Sequence, residues 1–178
     1  RASGAIDLVG NRADDFEVSM DVRNPDWLAP SVKLKGGRLT AVVDGAFQDL
    51  EIEHKIDIDA LIVGEAITIS QLSQGGTATY DGETFRIPLA AETAQVLTGN
   101  SMIDDRLTGG EMNGMLTIIG SDLAADNTNI SFPDLIADLT LRGDLSSGAF
   151  AIAGPVKARA LALQSVGLVN ADAKLLTK

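Results

Sequence analysis

Hydrophobic and polar residues alternate with a period of two along most of this chain, the pattern of a strand with one buried face. Over 14–22, Phe16, Val18, Met20 and Val22 fall on one side and Asp15, Glu17, Ser19 and Asp21 on the other. The alternation is strictest over 49–60. There Leu50, Ile52, Ile56, Ile58 and Ala60 oppose Asp49, Glu51, Glu53, Lys55, Asp57 and Asp59. A helix would scatter those charges around its circumference, whereas a strand puts them on one face. The same phase appears as Phe85, Ile87 and Leu89 in 84–89, as Leu135, Ala137, Leu139 and Leu141 in 135–142, and as Phe150 and Ile152 in 148–153. Further strands are predicted over 3–9, 38–44, 66–70, 76–80, 112–119, 156–163 and 167–176.

Glycine pairs punctuate these runs: Gly36-Gly37, Asp44-Gly45, Gly75-Gly76, Asp81-Gly82, Gly109-Gly110, Gly143-Asp144 and Gly154-Pro155. They read as turns, because glycine and aspartate tolerate the positive φ that tight hairpins need. Two stretches lack alternation. Residues 24–35, with Pro25, Trp27 and Pro30, read as a loop or short helix. Residues 90–98, which stop before Gly99-Asn100, read as one or two helical turns. The polar stretch with Asp122, Asp126, Asn127 and Asn129 reads as a loop between strands. The expectation is an all-β fold of about a dozen short antiparallel strands in one domain over 1–178. A sequence echo links Gly37-Arg38-Leu39-Thr40-Ala41-Val42 with Gly114-Met115-Leu116-Thr117-Ile118-Ile119 and with Leu139-Thr140-Leu141, as rungs added serially to a sheet would.

Charge and composition then narrow the function. Lys plus Arg number 14 against 25 Asp plus Glu, a formal charge of −11. Nucleic-acid partners need a basic footprint, so this balance argues against them. There is no cysteine, which excludes disulfides, thiol catalysis and thiolate-bound zinc. No apolar run approaches the ~20 residues of a membrane helix. The chain starts at Arg1 without a leader pattern, so it is expected to be a processed product or a section of a longer protein.

Candidate chemistry is sparse. His54 is the single histidine and lies in phase with Ile52 and Ile56, so it reads as a structural side chain without ligand partners. Asp122, Asp126, Asn127 and Asn129 lack the spacing, the glycine and the closing glutamate of a calcium loop. Asp57 and Asp59 sit on a solvated face, where nothing tunes a carboxylate for acid–base work. No nucleophile elbow, phosphate loop or dinucleotide fingerprint is present. Enzyme activity, metal binding and a cofactor are therefore not expected.

From Met112 onward the text acquires a recognisable style. Leu139, Leu141, Gly143 and Leu145 form L-x-L-x-G-x-L. Val156, Ala158, Leu161 and Leu163 follow as V-x-A-x-x-L-x-L, then Gly167, Leu168, Ala171, Ala173 and Leu175. This resembles the long AsmA-like proteins of Gram-negative envelopes, the TamB- and YdbH-like group. The stretch Ile87–Gly114 is similar to how those chains read between rungs. The resemblance implies an elongated antiparallel sheet curled into an apolar-lined groove (a β-taco) in a periplasmic bridge between inner and outer membrane. It also implies phospholipid transport along the groove, or assistance to outer-membrane protein assembly with a barrel partner.

On that resemblance, the positions expected to line a groove for phospholipid acyl chains are Ile52, Ile56, Ile58, Ile67, Ile69, Phe85, Ile87, Leu89, Leu116, Ile118, Leu139, Leu141, Phe150 and Ile152. Each buried methylene is worth ~0.8 kcal/mol, so such a groove needs no catalytic group to hold its cargo. The alternative is a β-sandwich or solenoid module in a surface or adhesin-like protein, with the same side chains packed in a closed core. A third expectation is strand addition, an exposed edge pairing with a client strand.

Overall fold

The computed structural model describes residues 1–22, 32–64, 67–147, 149–159 and 168–177. Thirteen strands and one short helix follow one another: β1 (Ala2–Asp7), β2 (Arg12–Asp21), β3 (Val32–Lys35), β4 (Arg38–Ala46), β5 (Asp49–Val63), β6 (Ile67–Tyr80), β7 (Thr84–Pro88), β8 (Ala90–Leu97), α1 (Ser101–Asp104), β9 (Thr108–Ile119), β10 (Asp122–Phe132), β11 (Leu135–Asp144), β12 (Ala149–Arg159) and β13 (Leu168–Thr177). All the strands belong to one antiparallel sheet, ordered β1-β2-β4-β5-β6-β7-β9-β10-β11-β12-β13. The all-β expectation holds, and the strands form one sheet rather than the two of a sandwich.

Two rungs are composite. β3 and β4 pair with successive parts of β5 and form one strand bent at Gly36-Gly37. β7 and β8 both lie between β6 and β9, in the same register, and form one strand interrupted at Leu89. Pro88 supplies no N–H there, and Leu89 restores the ladder by donating to the Gly114 carbonyl at 2.9 Å. The eleven rungs give ten spacings, about 48 Å across the sheet at ~4.8 Å each. β1 and β13 pair on one side only, so the ladder is open at both ends among the described residues.

Several sequence expectations are corrected. Residues 90–98 are strand β8 rather than helical turns, and the only helix among the described residues is the four-residue α1 beyond them. Both edges of this segment are taken by β6 and β9, and that pairing overrides the helix preference of its alanines, glutamate and glutamine. Residues 32–35 are strand; the remainder of the expected loop or helix, 24–31, lies outside the described residues. The presumed loop around Asp122–Asn129 is strand β10. Gly45, Gly75-Gly76, Gly109-Gly110 and Gly154-Pro155 are not turns but lie inside β4, β6, β9 and β12. The pairs 66–70 with 76–80, and 148–153 with 156–163, therefore merge into single long strands. Residues 66, 148, 160–163 and 167 of those expected strands lie outside the described residues. Glycine inside a strand marks a kink or close approach. At Gly45, φ is +109° and an added Cβ would meet the Asp49 carbonyl oxygen.

Burial is one-sided. Of seven buried apolar residues, Ala13, Ala78, Ala91, Leu123, Ala125 and Ala137 lie on one face, the aliphatic face, and only Leu34 on the other. These are mostly alanines sunk between larger neighbours that stay half-buried. Among the described residues no large side chain is fully buried. In one layer, such asymmetry arises when the sheet curls toward the crowded face. The chain exposes 11367 Å², against about 8,200 Å² expected of a compact monomer of its mass. Bulges at Gly4, Asp15 and Asn127, with φ of +109°, +44° and +52°, assist the bending.

Candidate functional site

Directly paired residues in an antiparallel ladder point to the same side, so the register traces continuous rows. One row runs Met20–Leu39–Ile56–Gln74–Ala91–Met112–Ile130–Ala137–Val156 through nine strands, with Gln74 as its single polar member. One residue away in every strand runs Asp21–Arg38–Asp57–Ser73–Glu92–Glu111–Ser131–Ile136–Lys157, which faces the opposite side. The two rows are the period-two alternation of the sequence, added coherently across the sheet. Parallel apolar rows include Phe16–Val43–Ile52–Ala78 and Leu116–Ala125–Leu141–Ile152.

Eleven of the fourteen expected groove positions lie on the aliphatic face: Ile52, Ile56, Ile58, Phe85, Ile87, Leu89, Leu116, Ile118, Leu139, Leu141 and Ile152. All are half-buried. Ile67 and Ile69 are not among them. Their partners Val63 and Leu61 occupy the alternate phase of β5, so both isoleucines point to the opposite face. Phe150 pairs with Gly143 in the ladder, and its side chain lies outside the described part. The aliphatic face also includes Leu72, Met112, Leu123, Ile130, Phe132 and Leu135, which were not among the expected groove positions. Three of these belong to β10, where the bulge at Asn127 shifts the alternation from odd positions (Leu123, Ala125) to even ones (Thr128, Ile130, Phe132). Two half-runs of opposite parity around Asp126-Asn127 are the signal that could have revealed this strand.

A polar island lies within the aliphatic part of the face. His54 sits between Ala41 and Gly76, with Nε2 2.9 Å from Gln74 Nε2, and Gln74 Nε2 donates to the Pro88 carbonyl at 2.8 Å. His54 Nδ1 lies 3.3 Å from the Ile52 carbonyl. All three contacts are satisfied when Nδ1 carries the proton and Nε2 accepts from Gln74. The island thus ties β5 and β6 to the interrupted rung at Pro88, and no further ligand partner is present: no group of three His, Asp or Glu suited to a metal occurs among the described residues. Nearby, Tyr80 and Phe85 stack with ring centroids 4.3 Å apart.

Apart from Lys33 and Lys35, charge among the described strands is confined to the other face and the turns. Among the described residues no carboxylate occupies a paired position on the aliphatic face. On the polar face, Asp57 is held below the usual carboxylate range by Lys55, 2.8 Å away, and by the Ser73 hydroxyl at 2.9 Å. In the β6–β7 turn, Arg86 and the Thr84 and Glu83 N–H groups bring Asp81 from 3.8 down to about 2. Asp7 and Asp144 are lowered in the same way, Asp7 by the Gly10 and Val9 N–H groups and Asp144 by Ser146 and Ser147. Asp7, Asp81 and Asp144 staple turns, and Asp57 ties β5 to β6.

At one end of β5 and β6 the polarity inverts. Leu34–Leu61–Ile69–Val96 form an aliphatic row on the otherwise polar face, with Leu34 only 4% exposed. The corresponding rows on the aliphatic face are Lys33–Ile62–Thr68–Leu97 and Lys35–Ala60–Ser70–Gln95–Thr108. Chemically, the main face can hold an extended apolar molecule by burial alone, and it presents no nucleophile–base pair. No helix among the described residues is long and apolar enough to cross a membrane. Comparison with protein-family models, curated proteins and solved structures finds no match.

Proposed function

We propose that this chain is a periplasmic section of an AsmA-like envelope bridge, and that its aliphatic face shields phospholipid acyl chains on their way between inner and outer membrane. It acts by holding cargo rather than by transforming it. The single observation that carries this is the apolar row across nine strands, most of its large side chains half-buried, with no second sheet over it among the described residues. A closed structural module would bury such a row in its core. Each methylene laid on the row gains ~0.8 kcal/mol relative to water, and the row itself holds no charged side chain to be desolvated at great cost.

The test is mass spectrometry of an organic extract of the protein purified from a Gram-negative host, beside an equally acidic control protein. Near-stoichiometric phospholipid is the expected result; a lipid content equal to the control's overturns the proposal. A second role, assistance to outer-membrane protein assembly, is favoured by β1, a fully exposed strand paired only with β2. A client strand added there would protect the β1 amides from hydrogen exchange.

A further inference from the structure

The register assigns more than an apolar surface. At paired positions on the aliphatic face the only formally charged residues are Lys33 and Lys35. Both are exposed, and neither forms an ion pair among the described residues. This is unusual company in a chain of formal charge −11, whose Arg12, Arg38, Lys55, Arg86, Arg106 and Arg142 are all paired with carboxylates. The lysines are not scattered. They share one end of the face with the neutral hydrogen-bonding side chains of Thr68, Ser70, Gln95 and Thr108. Along β5, Ile56 is four residues from Ala60, the partner of Lys35, a distance of about 14 Å. Along the strands the face thus passes from aliphatic positions to an end where the two lysines of β3 lie beside neutral polar side chains of β6, β8 and β9, with Ile62 and Leu97 among them, an order that an anionic amphiphile matches from tail to head.

We infer that this end of the face receives the anionic phosphodiester head group of a phospholipid, with Lys33 and Lys35 as the groups that select it, while the acyl chains lie toward Ile58 and Ile56. The inference rests on the acyl-chain function proposed above and adds the head-group class and the direction in which the lipid lies. It also reverses what net charge suggests, since a strongly acidic protein should disfavour anionic lipid. On this side of the sheet the two ammonium groups are the only charges at paired positions among the described residues.

The test measures binding of fluorescent phosphatidylglycerol and phosphatidylethanolamine at fixed ionic strength, with inorganic phosphate as competitor, to the full chain and to Lys33→Gln/Lys35→Gln. The expected result is a preference for phosphatidylglycerol of about tenfold, from two exposed ion pairs of ordinary strength. The double variant should lose this preference while still binding both lipids. Lys55→Gln/Lys157→Gln, on the polar face, should keep it. Equal binding of the two lipids by the natural chain, or a preference that survives the double substitution, overturns the head-group inference and leaves acyl-chain binding standing. Binding of neither lipid overturns both. Inorganic phosphate that perturbs the Lys33 and Lys35 resonances while neither lipid does identifies a free-anion site and also overturns the inference.

Discussion

The row through Ile56 and the row through Ile69 are built from similar side chains but lie on opposite faces of the same two long strands. On the first, aliphatic residues continue for nine strands. On the second they span four, Leu34 to Val96, and behind them Lys33, Lys35, Thr68, Ser70 and Gln95 alternate with Ala60, Ile62 and Leu97. The difference teaches that hydrophobicity alone does not assign a residue to a surface. Parity relative to the register does, and a shift of one position moves a side chain across the sheet.

The sharpest way to break the comparison is through the backbone. Gly45, within the main face, and Gly64, at the β5–β6 turn beside the inverted end, both have positive φ (+109° and +63°). An added Cβ at Gly45 meets the Asp49 carbonyl, whereas at Gly64 it meets nothing within 4 Å. Gly45→Ala should therefore cost ~3 kcal/mol or more in urea unfolding, and Gly64→Ala only ~1 kcal/mol. Next in size is cargo. Ile56→Asp should lower phospholipid retention more than ~10-fold with the far-ultraviolet spectrum unchanged, because a carboxylate would then lie in the apolar row. Ile69→Asp, on the opposite face, should retain lipid within about twofold by the same logic. Equal losses from the two variants would mean that the faces are not distinct.

A smaller effect concerns acid. The Asp81 pKa is about 2 in the folded chain and 3.8 ordinarily, so its stabilisation is complete above the unfolded value and disappears as pH falls through the folded one. Asp81→Asn should flatten the loss of stability between pH 3.8 and about 2, measured by thermal melts across that window. Smallest is Arg38→Ala. This removes the 3.1 Å pair with Asp21 on the polar face, and since both side chains are exposed the change should be under ~0.5 kcal/mol by denaturant titration.

What could be read from the sequence tracks how strictly alternation is kept. β5, β7 and β11 show one parity over the residues that matter, and Ile56, Ile87 and Leu139 were placed correctly on that basis. The echo is real in orientation: Leu39, Leu116 and Leu139 share the aliphatic face, with Thr40, Thr117 and Thr140 behind them. Parity becomes illegible where four apolar residues run together. Ala60-Leu61-Ile62-Val63 satisfy both faces, and this is why Ile67 and Ile69, beyond the turn, were given the wrong side. The bulge at Asn127 hid β10 by switching parity mid-strand. Residues 90–98 looked helical because their propensities are local, while the two paired edges that make them a strand are 20 or so residues away in either direction. Lys33 and Lys35 drew no notice, since nothing in a stretch of four residues tells which surface a lysine shares with Ile56.

The nearest-neighbour order of the sheet has a consequence for how this molecule comes into being. Apart from the composite rungs, every strand pairs with the strand just before and just after it in the chain. Loop closure is therefore short throughout, and each new hairpin finds its template already formed. Such a ladder behaves as a nearly one-dimensional chain of coupled units, in which cooperativity passes from rung to rung rather than through a central core. Its stability grows by increments as polypeptide is delivered, so the protein can assemble vectorially, one hairpin at a time, while the rest of the chain is still on its way.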